Sequence, residues 1–146
     1  MTEIGRVITH KTTHQDAGTD EVDCTGLAGR DRFVDRGDPT AVDWNRDSLS
    51  ANDTWAELDL SSIVPAGATL VLLRVSIYPT GVGKELRFRK NGNANAINFT
   101  RVAGLVATEL HSQDMFVKTD SNRVVEYFKS ADGFNALSVT VGGWWI

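Results

Sequence analysis

The stretch that most constrains the fold is Thr69 to Tyr78, TLVLLRVSIY, the longest apolar run in the chain. Its side chains alternate with a period of two, which is the spacing of a strand and not of a helix. The fully apolar face consists of Val71, Leu73, Val75 and Ile77. The opposite face starts apolar and becomes polar at Arg74, so we expect a central strand that is covered on both faces near its start and on one face near its end.

Two further alternating stretches flank this run. Thr54 to Leu60 and Lys84 to Lys90 both place apolar side chains at every second position, so each is predicted to be a strand. The dipeptide Asn91-Gly92 follows, and it is the strongest short hairpin signal in the chain. We expect a returning strand that contains Ile97, Phe99 and Arg101.

Later strands are predicted at Met115 to Lys118, at Arg123 to Lys129 and around Val139, with the last one stopping at Gly142-Gly143. This makes seven or eight short strands with turn signals between them and no convincing helix. The predicted fold class is therefore all-β, an antiparallel β-sandwich or jelly roll.

Residues 1–50 differ from the rest in both pattern and charge. They show no sustained period, and they carry six Lys/Arg against ten Asp/Glu, whereas residues 51–146 carry nine of each. We expect an extended N-terminal arm and linker over residues 1–50, ordered by a partner, and a β-sandwich over residues 51–146. An acidic arm argues against nucleic-acid binding. It suits a basic protein surface, and a merely solvated segment is the alternative.

Three features bear on where the chain is made and used. The single cysteine, Cys24, excludes an intramolecular disulfide and fits a reducing compartment. The first residues contain no apolar stretch of the kind a signal peptide needs, so we expect synthesis without a secretory signal. No run approaches the ~18 apolar residues of a membrane span, so no membrane partner is expected.

The residue inventory for catalysis is poor. His111, Ser112 and Asp114 are the residue types of a catalytic triad, but three neighbours on a predicted loop do not converge on a pocket. The sequence contains no nucleophile elbow, phosphate-binding loop or dinucleotide fingerprint. We therefore expect no enzymatic activity and no cofactor.

His10 and His14 form the single close histidine pair. Lys11 follows His10 where a zinc protease has a glutamate, and the neighbouring threonines disfavour a helix. Three arms wound around a common axis could bring copies of one histidine together to hold a metal ion. Simple polar or packing roles are the preferred interpretation, so the predicted metal site is none.

The run from His10 to Gly29, HKTTHQDAGTDEVDCTGLAG, resembles a short module of tailed-bacteriophage structural proteins, of the form H-x-x-x-H-x-x-G-G-S-D-E-I-x-V-x-G-L-S-G. That module precedes fibre, collar and head-decoration domains. The resemblance covers about twenty of the 146 residues. The chain departs from the module at Ala17, Thr19, Cys24 and Ala28, all mild changes.

The resemblance implies a virion component made in the host cytoplasm. The small size and the lack of a long repetitive shaft favour a capsid decoration (cement) protein over a tail fibre. Its expected partners are further copies of itself, as a trimer, and the major capsid protein or another virion protein. The residues carried over from the module as contacts of the arm are His10, His14, Asp20, Glu21, Gly26, Leu27 and Gly29.

Three tryptophans join this contact set on burial logic alone: Trp44, Trp144 and Trp145. Adjacent residues of a strand point to opposite faces, so one ring of the terminal pair can close the core while the other is exposed. A bulge at Gly142-Gly143 that turns both rings inward is the alternative.

A second hypothesis is a receptor- or glycan-binding module of a phage tail fibre or head spike. Arg87, Arg89 and Lys90 form a local basic face with Asn91, Asn93 and Asn95 behind it. The possible glycan contacts chosen from this face are Arg87, Arg89, Asn91 and Asn93. This hypothesis predicts exposed aromatic rings beside the asparagine-rich hairpin. Solvent is the commonest neighbour of an outward strand face and is the third possibility.

Overall fold

Strands account for about half of residues 32–146, the range that the computed structural model describes, and they form two antiparallel sheets. The predicted all-β sandwich is therefore confirmed. The strands are β1 Phe33–Asp35, β2 Trp44–Asn45, β3 Trp55–Asp59, β4 Leu70–Pro79, β5 Glu85–Lys90, β6 Thr100–Ala103, β7 His111–Lys118, β8 Val124–Lys129 and β9 Phe134–Trp145.

Strands that follow one another in the sequence often belong to different sheets. Sheet A has the order β1-β9-β4-β7, and β2 also pairs with β9. Sheet B has the order β3-β8-β5-β6. Because β7 and β9 belong to sheet A and β8 to sheet B, the chain crosses the sandwich twice near its end. Both sheets have one face on the shared core and one face outward.

Strand β4 has the orientation that its alternation predicts. Its apolar face lies in the core, where all four side chains are at most 1% exposed: Val71, Leu73, Val75 and Ile77. On the outward face Leu70 and Leu72 are half-buried and Arg74 is exposed. Full burial of such side chains contributes about 1.5–3 kcal/mol each, so this one face supplies a large part of the core.

Sheet B and the preceding linker supply the other half of the core. Leu86 and Phe88 of β5 and Val125 of β8 are completely buried. Leu49 is also completely buried, and Trp44 packs against the same cluster. Residues 33–49, which the sequence placed in a linker, therefore contribute two short strands and a core side chain to the sandwich.

The hairpin predicted at Asn91-Gly92 is confirmed as a strand pair, since β5 pairs antiparallel with β6, but the tight turn at the dipeptide is wrong. The chain does turn there, with the Asn93 N–H donating to the Lys90 carbonyl at 3.2 Å, but β6 begins only at Thr100. A type I′ hairpin turn requires positive φ at both central residues. Gly92 adopts a φ of +82°, whereas Asn91 is not among the residues with positive φ. A longer loop results, and Ile97 lies on it, 92% exposed.

The sequence predicted that the last strand stops at Gly142-Gly143. This prediction is wrong. The pairing of β9 with β4 shifts between Leu72, which pairs with Gly143, and Leu73, which pairs with Val141. Gly142 is thus the extra residue of a β-bulge, and β9 continues to Trp145.

Candidate docking and ligand-binding surfaces

An uncovered row of aromatic rings crosses the outward face of sheet A. The Phe33 and Trp145 ring centroids are 4.6 Å apart, and the Phe116 ring meets Trp145 edge-on at 5.4 Å. Phe116 is 59% exposed and Phe33 43%. We call these three residues the aromatic patch. Exposed apolar clusters of this kind commonly mark interaction surfaces.

Strand register brings these rings together. Phe33 pairs with Trp145 across β1 and β9, and Trp145 pairs with Leu70 across β9 and β4. Phe116 lies one row further along β7, opposite Leu72. The row has room for the Phe33 ring because Gly143 has no side chain: a Cβ there would lie 2.4 Å from the Phe33 ring and 2.5 Å from the Val34 carbonyl oxygen.

The adjacent terminal tryptophans point to opposite faces. Trp144 pairs with Val71 and packs against the core, whereas Trp145 belongs to the aromatic patch. The alternative that the glycine bulge turns both rings inward is wrong, since Gly142 is one inserted residue and the pleat resumes after it. Of the three tryptophans expected at contacts, Trp44 and Trp144 are thus half-buried core neighbours and Trp145 lies on the outward face.

The outward face of sheet B holds its aromatic rings between arginines. The Arg87 guanidinium lies 4.8 Å from the ring centroids of both Phe99 and Phe128. The Arg89 guanidinium lies 4.0 Å from the Trp55 centroid. Cation–π contacts of this kind contribute about 0.5–2 kcal/mol each.

Both of these arginines are also ion-paired. Arg87 contacts Glu85, and Arg89 contacts Glu126, with side chains that are at most 27% exposed. Burial alone would raise the pKa of Glu85, but hydrogen bonds and charge from Arg87 and Arg101 outweigh it and hold that pKa below its ordinary value. The two arginines of the predicted basic face are therefore paired with glutamates and packed against aromatic rings. Few N–H groups of Arg87 and Arg89 are free to bind a glycan.

The two asparagines expected at glycan contacts differ. The Asn91 side-chain amide donates to the Asp120 carboxylate at 3.0 Å. Burial opposes ionisation of Asp120, but the backbone N–H of Val124, the Asn91 amide, the Asn122 N–H and the charge of Lys90 together lower its pKa. Asn93 instead lines a surface cavity.

That cavity is part of a groove at the open end of the sandwich. A cavity of about 610 Å³ lies between the 93–100 loop and β7, and one of about 690 Å³ adjoins it beside Trp145. The two share Leu70, Lys90 and Lys118. We call the combined depression the lysine groove. Its mixed lining of amides, hydroxyls, lysines and aromatic rings is typical of a ligand site.

A second exposed apolar cluster lies at the other end of β4. It consists of the side chains of Val82, Leu105, Val106 and Leu110, which are between 47% and 76% exposed. Backbone hydrogen bonds fix the two loops that carry them, from Gly83 N–H to the Gly104 carbonyl at 2.8 Å and from Thr108 N–H to the Pro79 carbonyl at 2.9 Å. We call this cluster the apolar loop end.

The three triad-type residues do not converge. They were predicted to lie on a loop, but all three lie on strand β7. Ser112 hydrogen-bonds to Ser76 at 2.7 Å, Asp114 pairs with Arg74 across the strands, and the His111 ring lies 3.3 Å from the Val106 carbonyl oxygen. Within residues 32–146 no group of three or more His, Cys, Asp or Glu side chains is placed to hold a metal ion.

Lys129 is a buried cation beside a third cavity. Its Nζ donates to the Arg46 carbonyl at 3.1 Å, and the residue is 7% exposed. Burial first, and the charge of Arg46 second, lower its pKa. The cavity of about 470 Å³ next to it is lined largely by polar side chains and backbone.

Sequence reasoning missed Phe116 and Lys118 as site residues. A signal was present for Phe116: it lies between the buried Met115 and Val117, so alternation puts a large ring on the outward face. The predicted arm contacts His10, His14, Asp20, Glu21, Gly26, Leu27 and Gly29 lie outside the described residues.

Comparison with known proteins adds no relative. Neither the known protein-family models nor the curated protein sequences contain a match to this chain. Among residues 32–146, no helix is long and apolar enough to cross a membrane.

Proposed function

We propose that this protein is a non-enzymatic structural component of a tailed-phage virion that acts as a capsid decoration protein. In this role it associates with copies of itself as a trimer and docks to the head through its N-terminal arm. The observation that carries the proposal is the pair of uncovered apolar surfaces on the sandwich, the aromatic patch and the apolar loop end. The phage module resembled by residues 10–29 supplies the virion context.

The two apolar surfaces favour assembly because they are different and far apart. The aromatic patch lies beside Leu70 at the start of β4, and the apolar loop end lies beyond Pro79 at the end of that strand. Ten strand residues separate them, which corresponds to roughly 30 Å. A contact between unlike surfaces of successive copies is heterologous, and such contacts form a closed ring, such as a trimer, when the rotation between copies closes.

The available apolar area is large enough to matter. Phe116 exposes about 59% of its surface, and an aromatic side chain presents roughly 150–250 Å². At about 25 cal/mol per Å², covering this one ring contributes on the order of 2–3 kcal/mol before the costs of association. An arm that becomes ordered on docking adds further buried area and stabilises the head by mass action.

The oligomeric state of the full-length protein is the first test. Analytical ultracentrifugation should give a trimer, and Phe116→Thr or Leu105→Ser should shift the equilibrium towards monomer. Val42→Thr is the matched control, because Val42 is an exposed apolar residue outside both surfaces. A chain that stays monomeric at all accessible concentrations would contradict the self-association part of the proposal.

Docking to the head is tested separately. Undecorated capsids of the phage that encodes the protein should bind the full-length chain and should not bind a chain that lacks residues 1–30. If the shortened chain is folded and binds equally well, the role assigned to the arm is wrong.

The second candidate function is a glycan-binding module of a fibre or spike. A specific observation favours it: the exposed Phe116 ring lines the same cavity as Asn93 and Asn98 of the loop that follows β5, and the half-buried Trp145 ring contacts Phe116. Binding of a soluble saccharide to the isolated protein, lost in Trp145→Ala, is the result expected of this candidate.

A further inference from the structure

The lysine groove has unbalanced charge in a chain that is acidic as a whole. The full sequence has a formal net charge of −4, yet among residues 32–146 Asp120 is the one acidic residue that lines the groove, against Lys90 and Lys118. Arg89 also lines it, but Glu126 already neutralises this arginine. The groove is therefore a local positive site on a negative protein.

The two lysines of the groove form no ion pair within the described part of the chain. No carboxylate oxygen of residues 32–146 lies within ion-pairing distance of Lys90 or Lys118, and both residues are exposed. Asp120 accepts hydrogen bonds from the Asn91 amide at 3.0 Å, the Asn122 N–H at 2.9 Å and the Val124 N–H at 2.8 Å. The groove's carboxylate is thus held by N–H donors of two loops, and neither ammonium group is engaged in an ion pair within residues 32–146, so both can meet an anion.

The remaining lining suits a carbohydrate. Phe116 and Trp145 offer apolar ring surface, onto which the C–H face of a sugar ring can pack. Asn93, Asn98 and Thr100 supply amide and hydroxyl groups that donate to and accept from sugar hydroxyls. The cavities of about 610 and 690 Å³ share three lining residues, so together they give the groove room for more than one sugar ring.

We propose that the lysine groove binds an acidic oligosaccharide, with Lys90 and Lys118 holding its carboxylate or sulfate groups and Phe116 and Trp145 packing against its rings. This assignment rests on the second candidate function and names its ligand class. It also moves the glycan site from the outward face of β5, where Arg87 and Arg89 are already paired, to the groove at the end of the sandwich.

The test uses the full-length protein and matched probes in isothermal titration calorimetry. Hexagalacturonate carries carboxylates, its methyl ester is the neutral counterpart, and a heparin hexasaccharide carries sulfates. We expect one or both acidic probes to bind at least tenfold more tightly than the ester, and which of the two binds identifies the anionic group. Affinity should fall as salt is added, because exposed charge pairs are screened.

Variants locate the site. Lys118→Gln and Lys90→Gln should each weaken binding about fivefold or more, and Phe116→Thr should weaken it severalfold through lost ring contact. Arg46→Gln is the control: it removes one positive charge from an exposed side chain near Asn135, at the other end of β9 from Trp145. Circular dichroism and thermal unfolding confirm that each variant remains folded.

Distinct results would overturn the assignment. Equal binding of the ester and the acid would leave a glycan-binding module but refute the acidic ligand. No saccharide binding at all would refute both the assignment and the second candidate function, while leaving capsid docking untouched. Hexaglutamate that binds as tightly as hexagalacturonate, with dependence on Lys118 but not on Phe116, would show that the groove holds an acidic peptide instead.

Discussion

The outward faces of the two sheets carry similar aromatic side chains but differ in whether other side chains of the chain cover the rings. On sheet B, Arg87 and Arg89 lie over the rings and are themselves paired with glutamates. On sheet A, the rings of Phe33, Phe116 and Trp145 contact one another and remain open to solvent.

The difference comes from the residues between the rings. Sheet B alternates long charged side chains with aromatic ones along the same face, so stems and guanidinium groups fill the gaps between rings. Sheet A has Leu72 and Gly143 at the equivalent places, and neither can cover a ring with a charge. An aromatic face of the first kind is complete within one chain, whereas a face of the second kind gains stability when something else covers it.

Removing an arginine from the closed face should have the largest effect on stability. Arg89→Ala leaves Glu126 half-buried without its cation and uncovers Trp55, so we expect a loss of about 3 kcal/mol in the free energy of unfolding. Urea denaturation measures it. Arg101→Ala is the control, because Arg101 also pairs with a glutamate but is 58% exposed; its expected loss is below about 1 kcal/mol. Equal losses would mean that the stacked arrangement is not what stabilises sheet B.

A side chain at Gly143 should disrupt the open face. Gly143→Ala places a Cβ against the Phe33 ring and the Val34 carbonyl, so β1 must shift, at a cost of about 2 kcal/mol. Thermal unfolding and the fluorescence of Trp145 report the change. Gly81→Ala should be neutral or slightly stabilising, since no atom lies within 4 Å of the added Cβ. A stable Gly143→Ala protein with unchanged fluorescence would be evidence against this packing of Phe33.

The same substitution on the two faces compares them directly. Phe128→Thr removes a ring that contacts Trp55 and Arg87, and Phe116→Thr removes one that contacts Trp145. Threonine retains strand propensity. We expect a loss of about 2 kcal/mol for Phe128→Thr and about 0.5–1 kcal/mol for Phe116→Thr. Chemical denaturation of both variants at low protein concentration checks this, and a reversed order would refute the contrast between a closed and an open face.

A smaller effect, a pH dependence of stability, is expected from the closed face. The pKa of Glu85 is lower in the folded protein than its ordinary value of 4.5, so the stabilisation it gives is present above pH 4.5 and is lost as the pH falls through the lower folded value. Glu85→Gln should therefore be about 1 kcal/mol less stable than the wild type at pH 7 and should approach it at pH 2–3. Glu109→Gln, at an exposed loop position, serves as the control. A constant difference between Glu85→Gln and the wild type across this pH range would contradict the expected sign.

The regular part of the fold follows from local patterns in the sequence. Alternation in β3, β4 and β5 predicts which side chains are buried, because apolar residues at every second position all face the same side of a strand. That side must be the one that faces the core. The prediction of a tight turn after Lys90 is wrong because the turn type depends on the φ of Asn91, which the dipeptide alone does not determine. The predicted end of β9 is wrong because a pair of glycines is compatible both with a β-bulge and with the end of a strand.

The candidate sites depend on register, which single segments do not encode. Arg87 and Arg89 are recognisably outward-facing residues, but their pairing with Glu85 and Glu126 needs the alignment of β5 with β8. The lysine groove needs the end of β7 to lie near the end of β5, in the other sheet. Phe116 is the exception, since its neighbours Met115 and Val117 already indicate that it faces outward.

The position of β9 within sheet A has a consequence for synthesis. β9 lies between β1 and β4, so neither strand has its partner until the ribosome has made the segment up to Trp145. At about 5–20 residues per second, β4 waits roughly 3–13 s after Pro79 for that partner. During that interval the most apolar stretch of the nascent chain depends on β7 or on a chaperone for protection, and such long-range pairing makes folding slow.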